Sequence, residues 1–356
     1  MNRIGLLGAG GVALAHARAI SNFKEVRLTK VYDLNAGAIN NLCSNYGGSA
    51  AHSFDDLINE SDLVIVATPN FTHFKLASQV IINGKSVLCE KPMANSLNEA
   101  KVMNDLSKLS GGNAYMGFNY RFLPIVNTIR KMIDNDTLGN IATIKLSFKK
   151  NSALMRKNIT WRDLSDSNGT SGAIGDLGVH LIDLIYYLFG EEVDLNSIKS
   201  IQKTIVNEKQ NTAVAVDDDT YVCGKLFNSV FFEIETSKVE TSDDLGLRIE
   251  LRGDKATLVY SSKKATKYAI KYGVDWIEHD IEYERQIEDP EKEFWSWSDS
   301  FKLQLEEIFL NNGKRSASFG DGFRAQVILD RIIGSLKKEN PEPQLAARDR
   351  LALVHT

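Results

Sequence analysis

Lys91, Asp176 and His180 are the side chains of this 356-residue sequence best suited to acid–base work on a small molecule. Lys91 follows the short apolar run Ser86-Val87-Leu88-Cys89 in the segment Cys89-Glu90-Lys91-Pro92. Open α/β sheets bind ligands beyond the carboxyl ends of their strands. An ammonium at such a place donates a hydrogen bond to a hydroxyl oxygen and supports negative charge developing on it; position alone fits a surface lysine equally well. Asp176 and His180 lie in Gly175-Asp176-Leu177-Gly178-Val179-His180-Leu181-Ile182-Asp183, where Leu177, Leu181, Leu184, Ile185 and Leu188 recur at helical spacing. Asp176, His180, Asp183 and Tyr187 form a second stripe that borders the apolar one, which predicts a partly enclosed cleft for these groups. Asp176 and His180, four residues apart, are expected to couple. Histidine is the natural general base near neutral pH, and a carboxylate beside it stabilises its charged form. The alternative is a core histidine held by a helix neighbour.

A second group is basic. Lys149, Lys150, Arg156, Lys157 and Arg162 follow one another with no acid before Asp163, in a chain of 42 basic and 46 acidic side chains and net charge −4. This local excess either receives an anion such as a sugar phosphate or is a solvated basic loop. Asp217-Asp218-Asp219 reads as a solvated turn, and no third ligand at a telling spacing joins Asp176 and His180, so no metal is expected.

These groups need a frame, and the first 33 residues supply one half of it. The run Ile4-Gly5-Leu6-Leu7 enters the turn Gly8-Ala9-Gly10-Gly11-Val12-Ala13, continues as a helix with Ala13, Leu14, Ala17 and Ile20 on one side, and ends a second strand at Tyr32-Asp33. Gly8 permits the tight turn, Gly10 lets backbone N–H groups approach a pyrophosphate, Gly11 and Val12 open the helix, and Ala13 keeps that helix close to the sheet. The helix N-terminus then faces the anion. Asp33, about 20 residues beyond the turn, is placed to accept hydrogen bonds from a ribose diol and would repel a 2′-phosphate, which favours NAD over NADP.

The strand at Leu63–Ala67, the helix from Thr72, the strand at Ser86–Cys89, the helix near Ser96–Ser110 and the strand at Ala114–Phe118 alternate as in a doubly wound sheet. After a helix at Ile125–Asn135, strands follow strands: Ile141–Lys149, Ser197–Val206, Thr220–Phe227, Val230–Thr236, Leu247–Leu251 and Ala256–Tyr260. Val230, Phe232 and Ile234 fall on one face of their run and Phe231, Glu233 and Glu235 on the other, the mark of an antiparallel sheet with one buried face. Helices at Phe294–Asn311 and Gly322–Leu336 close the chain. The expected class is therefore α/β. A Rossmann domain over residues 1–122 is followed by an α+β domain over 123–356, with a mainly antiparallel open sheet that binds substrate and, through aromatics such as Phe231, a second copy of the chain, as a dimer or tetramer.

The charge balance implies no nucleic-acid partner, no run is long and apolar enough to span a bilayer, and Cys43, Cys89 and Cys223 form no zinc or redox motif. A cytoplasmic protein is expected.

Taken together, the segments Gly8–Ala13, Ala67-Thr68-Pro69-Asn70 with His73, Glu90-Lys91-Pro92, Gly117-Phe118-Asn119-Tyr120-Arg121, and Asp176 with His180 resemble the sugar and inositol dehydrogenases typified by glucose-fructose oxidoreductase and inositol dehydrogenase. The resemblance implies NAD as cofactor, with Thr68, Pro69, Asn70, His73, Glu90, Lys91, Asn119, Trp161 and Arg162 on its side of the site. It implies Lys91, Tyr120, Asp176 and His180 on the substrate side. The stretches Phe148–Leu154, Thr160–Asp163 and Thr170-Ser171-Gly172 are similar to the subgroup that oxidises C3 of glucose 6-phosphate in aminosugar antibiotic biosynthesis, with Lys149, Lys150 and Arg156 as phosphate contacts. Another sugar, a cyclitol or a nucleotide sugar would use the same chemistry. A non-catalytic dinucleotide-binding regulator or a cofactor-dependent glycosidase would be a change of class, and the joint presence of Lys91, Asp176 and His180 argues against a regulator.

Overall fold

In the first half of the chain the central strands Leu63–Val66 and Ser86–Cys89 are apolar on both faces, and strands alternate with helices that cover them. The computed structural model describes residues 1–109, 111–164, 170, 172–282 and 297–339. Strands β1 (Asn2–Leu7), β2 (Val26–Tyr32), β3 (Ser49–Ala50), β4 (Leu63–Val66), β5 (Ser86–Cys89) and β6 (Ala114–Met116) form a parallel sheet of order β3-β2-β1-β4-β5-β6. Helices α1 (Gly11–Ser21), α2 (Ala36–Tyr46), α3 (Phe54–Asn59), α4 (His73–Ile82) and α5 (Leu97–Leu109) connect them. The apolar run of β4 shows why: Leu63 and Ile65 enter one core with Ala13, Ala17 and Ile20 of α1, while Val64 and Val66 enter another on the opposite face. Parallel order and alternating helices bring the carboxyl ends of β1, β4 and β5 to one edge.

The second core runs without a break into the later half of the chain. There, after α6 (Pro124–Asp134), come β7 (Ile141–Lys149), α7 (Ser152–Met155), α8 (Val179–Phe189), β8 (Lys199–Lys203), the short hairpin β9 (Glu208–Lys209) and β10 (Thr212–Ala213), β11 (Asp219–Lys225), β12 (Phe231–Ser237), β13 (Gly246–Gly253), β14 (Thr257–Ser261), β15 (Lys267–Tyr272) and β16 (Asp275–Asp280). Eight of these strands form an open sheet of order β16-β15-β14-β13-β7-β12-β11-β8. The alternation expected at Val230–Thr236 is present, with Phe232 and Ile234 buried and Phe231 exposed. The sheet is mainly antiparallel, as expected; the exception is β12, which pairs antiparallel with β11 but parallel with β7, to which no hairpin joins it.

The closing helices α9 (Trp297–Leu310) and α10 (Phe319–Glu339) return to the first sheet. Phe301, Leu305 and Ile308 of α9 share the core of α1, and α10 packs on α5 and α8. The expected helix start at Phe294 lies outside the described residues. Among the described residues, no helix is long and apolar enough to cross a membrane. The three cysteines are free, and burial pushes the Cys89 thiol well above its usual range, where it is inert.

Candidate active site at the junction of the two sheets

The glycine turn is built to receive an anion. Gly8 has φ +102°, and a Cβ there would come within 2.6 Å of the Ala67 carbonyl oxygen, so β1 and β4 can approach only over glycine. Above Gly10 and Gly11 a Cβ would meet nothing within 4 Å, and Gly10 caps α1 without a side-chain bond. Open space over uncapped helical N–H groups fits a pyrophosphate. Asp33 accepts from the backbone N–H of Ala9 at 2.7 Å and of Asn35 at 2.8 Å, which fixes its carboxylate beside the turn while leaving lone pairs for a diol. Replacing Asp33 by serine is expected to raise KM for NAD about tenfold or more with little change in kcat, and to narrow the preference over NADP. Initial rates at varied NAD and NADP check both.

The walls of this cleft are tied to each other by buried polar groups. The ring nitrogens of His73 lie 2.9 Å from the Pro92 carbonyl and 3.0 Å from that of Thr68, so the ring sits between the Thr68-Pro69-Asn70 loop and the Lys91 turn and, when neutral, donates to one of the two carbonyls. Burial pushes this histidine below its usual value. Asn70 donates to the Thr170 hydroxyl at 2.7 Å, Asn119 donates to Ser300 at 2.8 Å, and a Glu90 oxygen sits 2.7 Å from Nε2 of His16. His73, Glu90 and Asn119, expected as cofactor contacts, are thus placed beneath the cleft surface with protein partners, and their geometry is that of wall-holding groups. Trp161 meets Phe71 edge-on at 6.1 Å, and the Arg162 guanidinium lies 4.1 Å over the Trp161 ring. The Thr160–Asp163 turn therefore closes on the loop after β4 from the other half of the chain.

At the junction Lys91 meets Asp176. The Lys91 ammonium donates to Asp176 Oδ1 and to the Asp176 carbonyl, both at 2.8 Å. The other carboxylate oxygen pairs with Lys238 at 3.0 Å. Asp176 keeps 37 % of its side-chain surface open, against 14 % for Lys91 and 5 % for Lys238. Burial opposes the Asp176 charge, but Lys238 and Lys91 outweigh it and hold the carboxyl well below its usual range. Asp176 sits in a π turn, Ile174–Gly178, that precedes α8. Gly175 makes the turn possible, since a Cβ there would fall 1.8 Å from the Thr170 carbonyl oxygen.

His180, in the first turn of α8, is buried and lies face to face with Tyr120, ring centroids 4.0 Å apart at 7°. Burial, then the charges of Lys91 and Lys150, push its imidazole well below the ordinary value, and Asp176 acts the other way. The imidazole is therefore neutral and able to accept a proton at physiological pH. The expected coupling with Asp176 is through the field, since both Asp176 oxygens face lysines. Tyr120, expected to touch substrate, is 3 % exposed and covers the imidazole.

Other sequence expectations are corrected. Asp183 does not face the cleft: it binds Arg121 through two bonds of 2.8 and 2.6 Å, and Tyr187 lies beneath Arg121 and Arg130. The polar stripe that begins at Asp176 descends along α8 into the core, about 1.5 Å per residue. Lys149 is not presented to a phosphate either. Glu235 and Asp244 lie 3.0 Å from its ammonium and Glu240 3.7 Å, because β12 pairs alongside β7 and brings acids distant in sequence. Arg156 donates to Asp163 at 2.7 Å, and Lys209 reaches the same oxygen at 2.9 Å. Burial opposes the Asp163 charge, yet Arg156, Lys209 and Thr160 bring its carboxyl down to about 2. Lys150 lies 5.1 Å over Phe148, near enough to act on His180. Ser171 and residues 165–169, in the approach to Gly175, lie outside the described residues. Lys238 and His16 were not anticipated, since neither stands in a motif and both are placed by distant pairing. Among the described residues no three His, Cys, Asp or Glu side chains are arranged to hold a metal.

Residues 2–118 match the model of an oxidoreductase family with an NAD-binding Rossmann fold, and residues 130–342 match the C-terminal alpha/beta domain of the same family. The chain is 41 % identical to glucose-6-phosphate 3-dehydrogenase of Bacillus subtilis over 96 % of its own length and 98 % of that protein. It is 26 % identical to inositol 2-dehydrogenase of Rhizobium meliloti, covering 95 % of this chain and 97 % of the relative. Among solved structures, levoglucosan dehydrogenase in complex with NADH and levoglucosan superposes with a TM-score of 0.84 at 21 % identity, covering 96 % of this chain and all of that one, 100 %.

Proposed function

This chain belongs to the NAD-dependent GFO/IDH/MocA oxidoreductase family, and on that premise we propose that it oxidises the C3 hydroxyl of glucose 6-phosphate to a 3-oxo sugar phosphate. NAD, bound at the Gly8–Val12 turn and Asp33, supplies the hydride acceptor. The protein's own groups do the rest. His180, neutral and dry, takes the hydroxyl proton. Lys91 donates to the same oxygen and holds the charge that develops there. Asp176, fixed between Lys91 and Lys238, accepts from a neighbouring sugar hydroxyl and partly balances the two ammonium groups.

The observation that carries the phosphate is the charge of the centre. Lys91 and Lys238 pair with Asp176, Arg162 feels the charges of Asp176 and Asp163, and Lys91 and Lys150 act on His180, so basic groups gather at this centre. A phosphate dianion gains charge-assisted hydrogen bonds at such a centre that a neutral sugar does not. Lys150 and Arg162 are the proposed phosphate contacts. The 41 % identity to glucose-6-phosphate 3-dehydrogenase supports the same substrate, and an aminosugar pathway follows from that reading. The outer face of the eight-stranded sheet, with Ile201 and Phe231 more than half exposed, supports a homo-oligomer.

NADH formation from glucose 6-phosphate, glucose and inositol tests the substrate. The expected kcat/KM for the phosphate ester exceeds that for glucose by about 100-fold or more, the worth of one or two charge-assisted contacts. Equal values for the two would remove the phosphate from the proposal.

A further inference from the structure

Among the described residues no hydrogen bond at Nδ1 orients His180. Its Nδ1 is buried and has no hydrogen-bond partner among the described residues, and the two carboxylates of its own segment are taken, Asp176 by two lysines and Asp183 by Arg121. What does contact the imidazole is aromatic. The Tyr120 ring lies flat on it, 4.0 Å between centroids, and Phe118 meets it edge-on at 6.1 Å. Tyr120 is backed on another side by Phe148 at 5.8 Å and is itself 3 % exposed.

The chain on either side of this stack is pinned. Arg121, the next residue after Tyr120, is bound bidentately by Asp183, which stands three residues beyond His180 in α8. The guanidinium also lies 3.6 Å from Asp321 of α10 and 4.9 Å from the Tyr187 ring centroid. Two adjacent residues of the Asn119–Phe122 turn thus grip two residues of one helical turn, one pair by ring contact and the other by charge. A bidentate arginine fork fixes orientation as well as distance.

We infer that Tyr120, locked in place by the Arg121–Asp183 pair, is the positioning residue of the catalytic base: its ring face sets the plane of the His180 imidazole and keeps water from it. This rests on the reading of His180 as the base. The groups facing His180 are Lys91 from the turn after β5, Lys150 beyond β7, Asp176 from the π turn and the Tyr120 ring from the Asn119–Phe122 turn. The three charged groups remain when Tyr120 is changed, so a response to that change reports the covering ring. An imidazole covered on one face is both held near its reactive geometry and kept in its neutral form.

The test separates ring from hydroxyl. Tyr120→Phe keeps the face and is expected to hold kcat and sugar KM within about twofold. Tyr120→Leu frees the imidazole to turn and admits water. Its kcat is expected to fall on the order of 10- to 100-fold, the cost of a misplaced catalytic group. The acid limb of its kcat/KM profile is expected to rise toward the ordinary histidine value of about 6.5. A tenfold or larger rise in sugar KM for Tyr120→Phe would overturn the inference in favour of substrate binding by the hydroxyl. An unchanged kcat and acid limb in Tyr120→Leu would overturn it as well. If Tyr120→Leu does not fold, the phenylalanine variant decides, with unchanged KM and profile supporting the inference. Loss of activity in His180→Ala separates failure of the stack from failure of the base assignment.

Discussion

Replacing His180 by alanine lowers kcat by about 10²- to 10⁴-fold, the usual worth of a positioned general base, while NAD binds as before. The expectation follows from where the imidazole sits. It is buried within the field of Lys91, the group proposed to hold the reacting oxygen, and it stands in α8, outside the glycine turn at the start of α1 that is proposed for the cofactor's phosphates. Burial and the charges of Lys91 and Lys150 keep it neutral, so protonation of this base does not limit the wild-type enzyme at pH 6.5, where an ordinary histidine is half charged. The sign is clear: a base whose pKa is lowered loses activity only as pH falls through that lowered value. Activity that holds from pH 8 down to 6.5 in the wild type, and a kcat loss of at least 100-fold in His180→Ala with unchanged NADH affinity by fluorescence titration, would both agree. A variant that retains kcat within threefold would end the assignment.

The parts of the site that were legible in the sequence are those built from local rules. A glycine turn between a strand and a helix, an acid at the end of the next strand and a lysine after a buried strand each take their place from neighbours in the chain. The fold of the first half is open to the same reading, because a parallel sheet buried on both faces forces continuous apolar runs such as Leu63–Val66. Strands β15 and β16 were missed for the opposite reason. They lie at one end of the open sheet: β15 alternates Tyr268, Ile270 and Tyr272 with Lys267, Ala269 and Lys271, but in the edge strand β16 Trp276 and Ile277 fall on opposite faces among Asp275, Glu278 and Asp280, leaving no apolar side. Lys149 and Asp183 were misread because their partners come from far away in sequence: Glu235, Glu240 and Asp244 for one, Arg121 for the other. Lys238 illustrates the limit most sharply. Its segment carries no motif, and only the parallel pairing of β12 with β7 leads the chain past Ser237 to the Asp176 carboxylate. The π turn adds a residue to the helical repeat, so a 3.6-residue stripe drawn through Asp176 and Asp183 misjudges the direction of both.

Replacing Lys91 by methionine is expected to lower kcat by about 10²- to 10³-fold, the measured scale for loss of one donor to a developing oxyanion. Methionine keeps the length of the stem, so the change removes charge and hydrogen bonds more than volume. In the wild type the ammonium is 14 % exposed and donates to Asp176 twice. A substrate oxygen must therefore meet a lysine already aimed by that carboxylate, and the alignment costs nothing at the moment of reaction. Without Lys91 the Asp176 carboxylate retains Lys238 as its cation, and its usual charge survives in part. Loss of the ammonium also removes one of the two cations that hold the His180 pKa down, so the acid limb of activity moves upward in this variant. The two effects distinguish Lys91 from a group that only binds sugar. Removal of a binding contact raises KM and leaves kcat and the pH profile alone, whereas here kcat falls and the profile shifts together. Lys91→Arg restores charge but offers a planar fork in place of a point donor, and its recovery of kcat is expected to be incomplete. Steady-state NADH formation from pH 5.5 to 9 in the three proteins reads all of these outcomes, and a Lys91→Met enzyme with kcat intact would show that the oxyanion is held elsewhere.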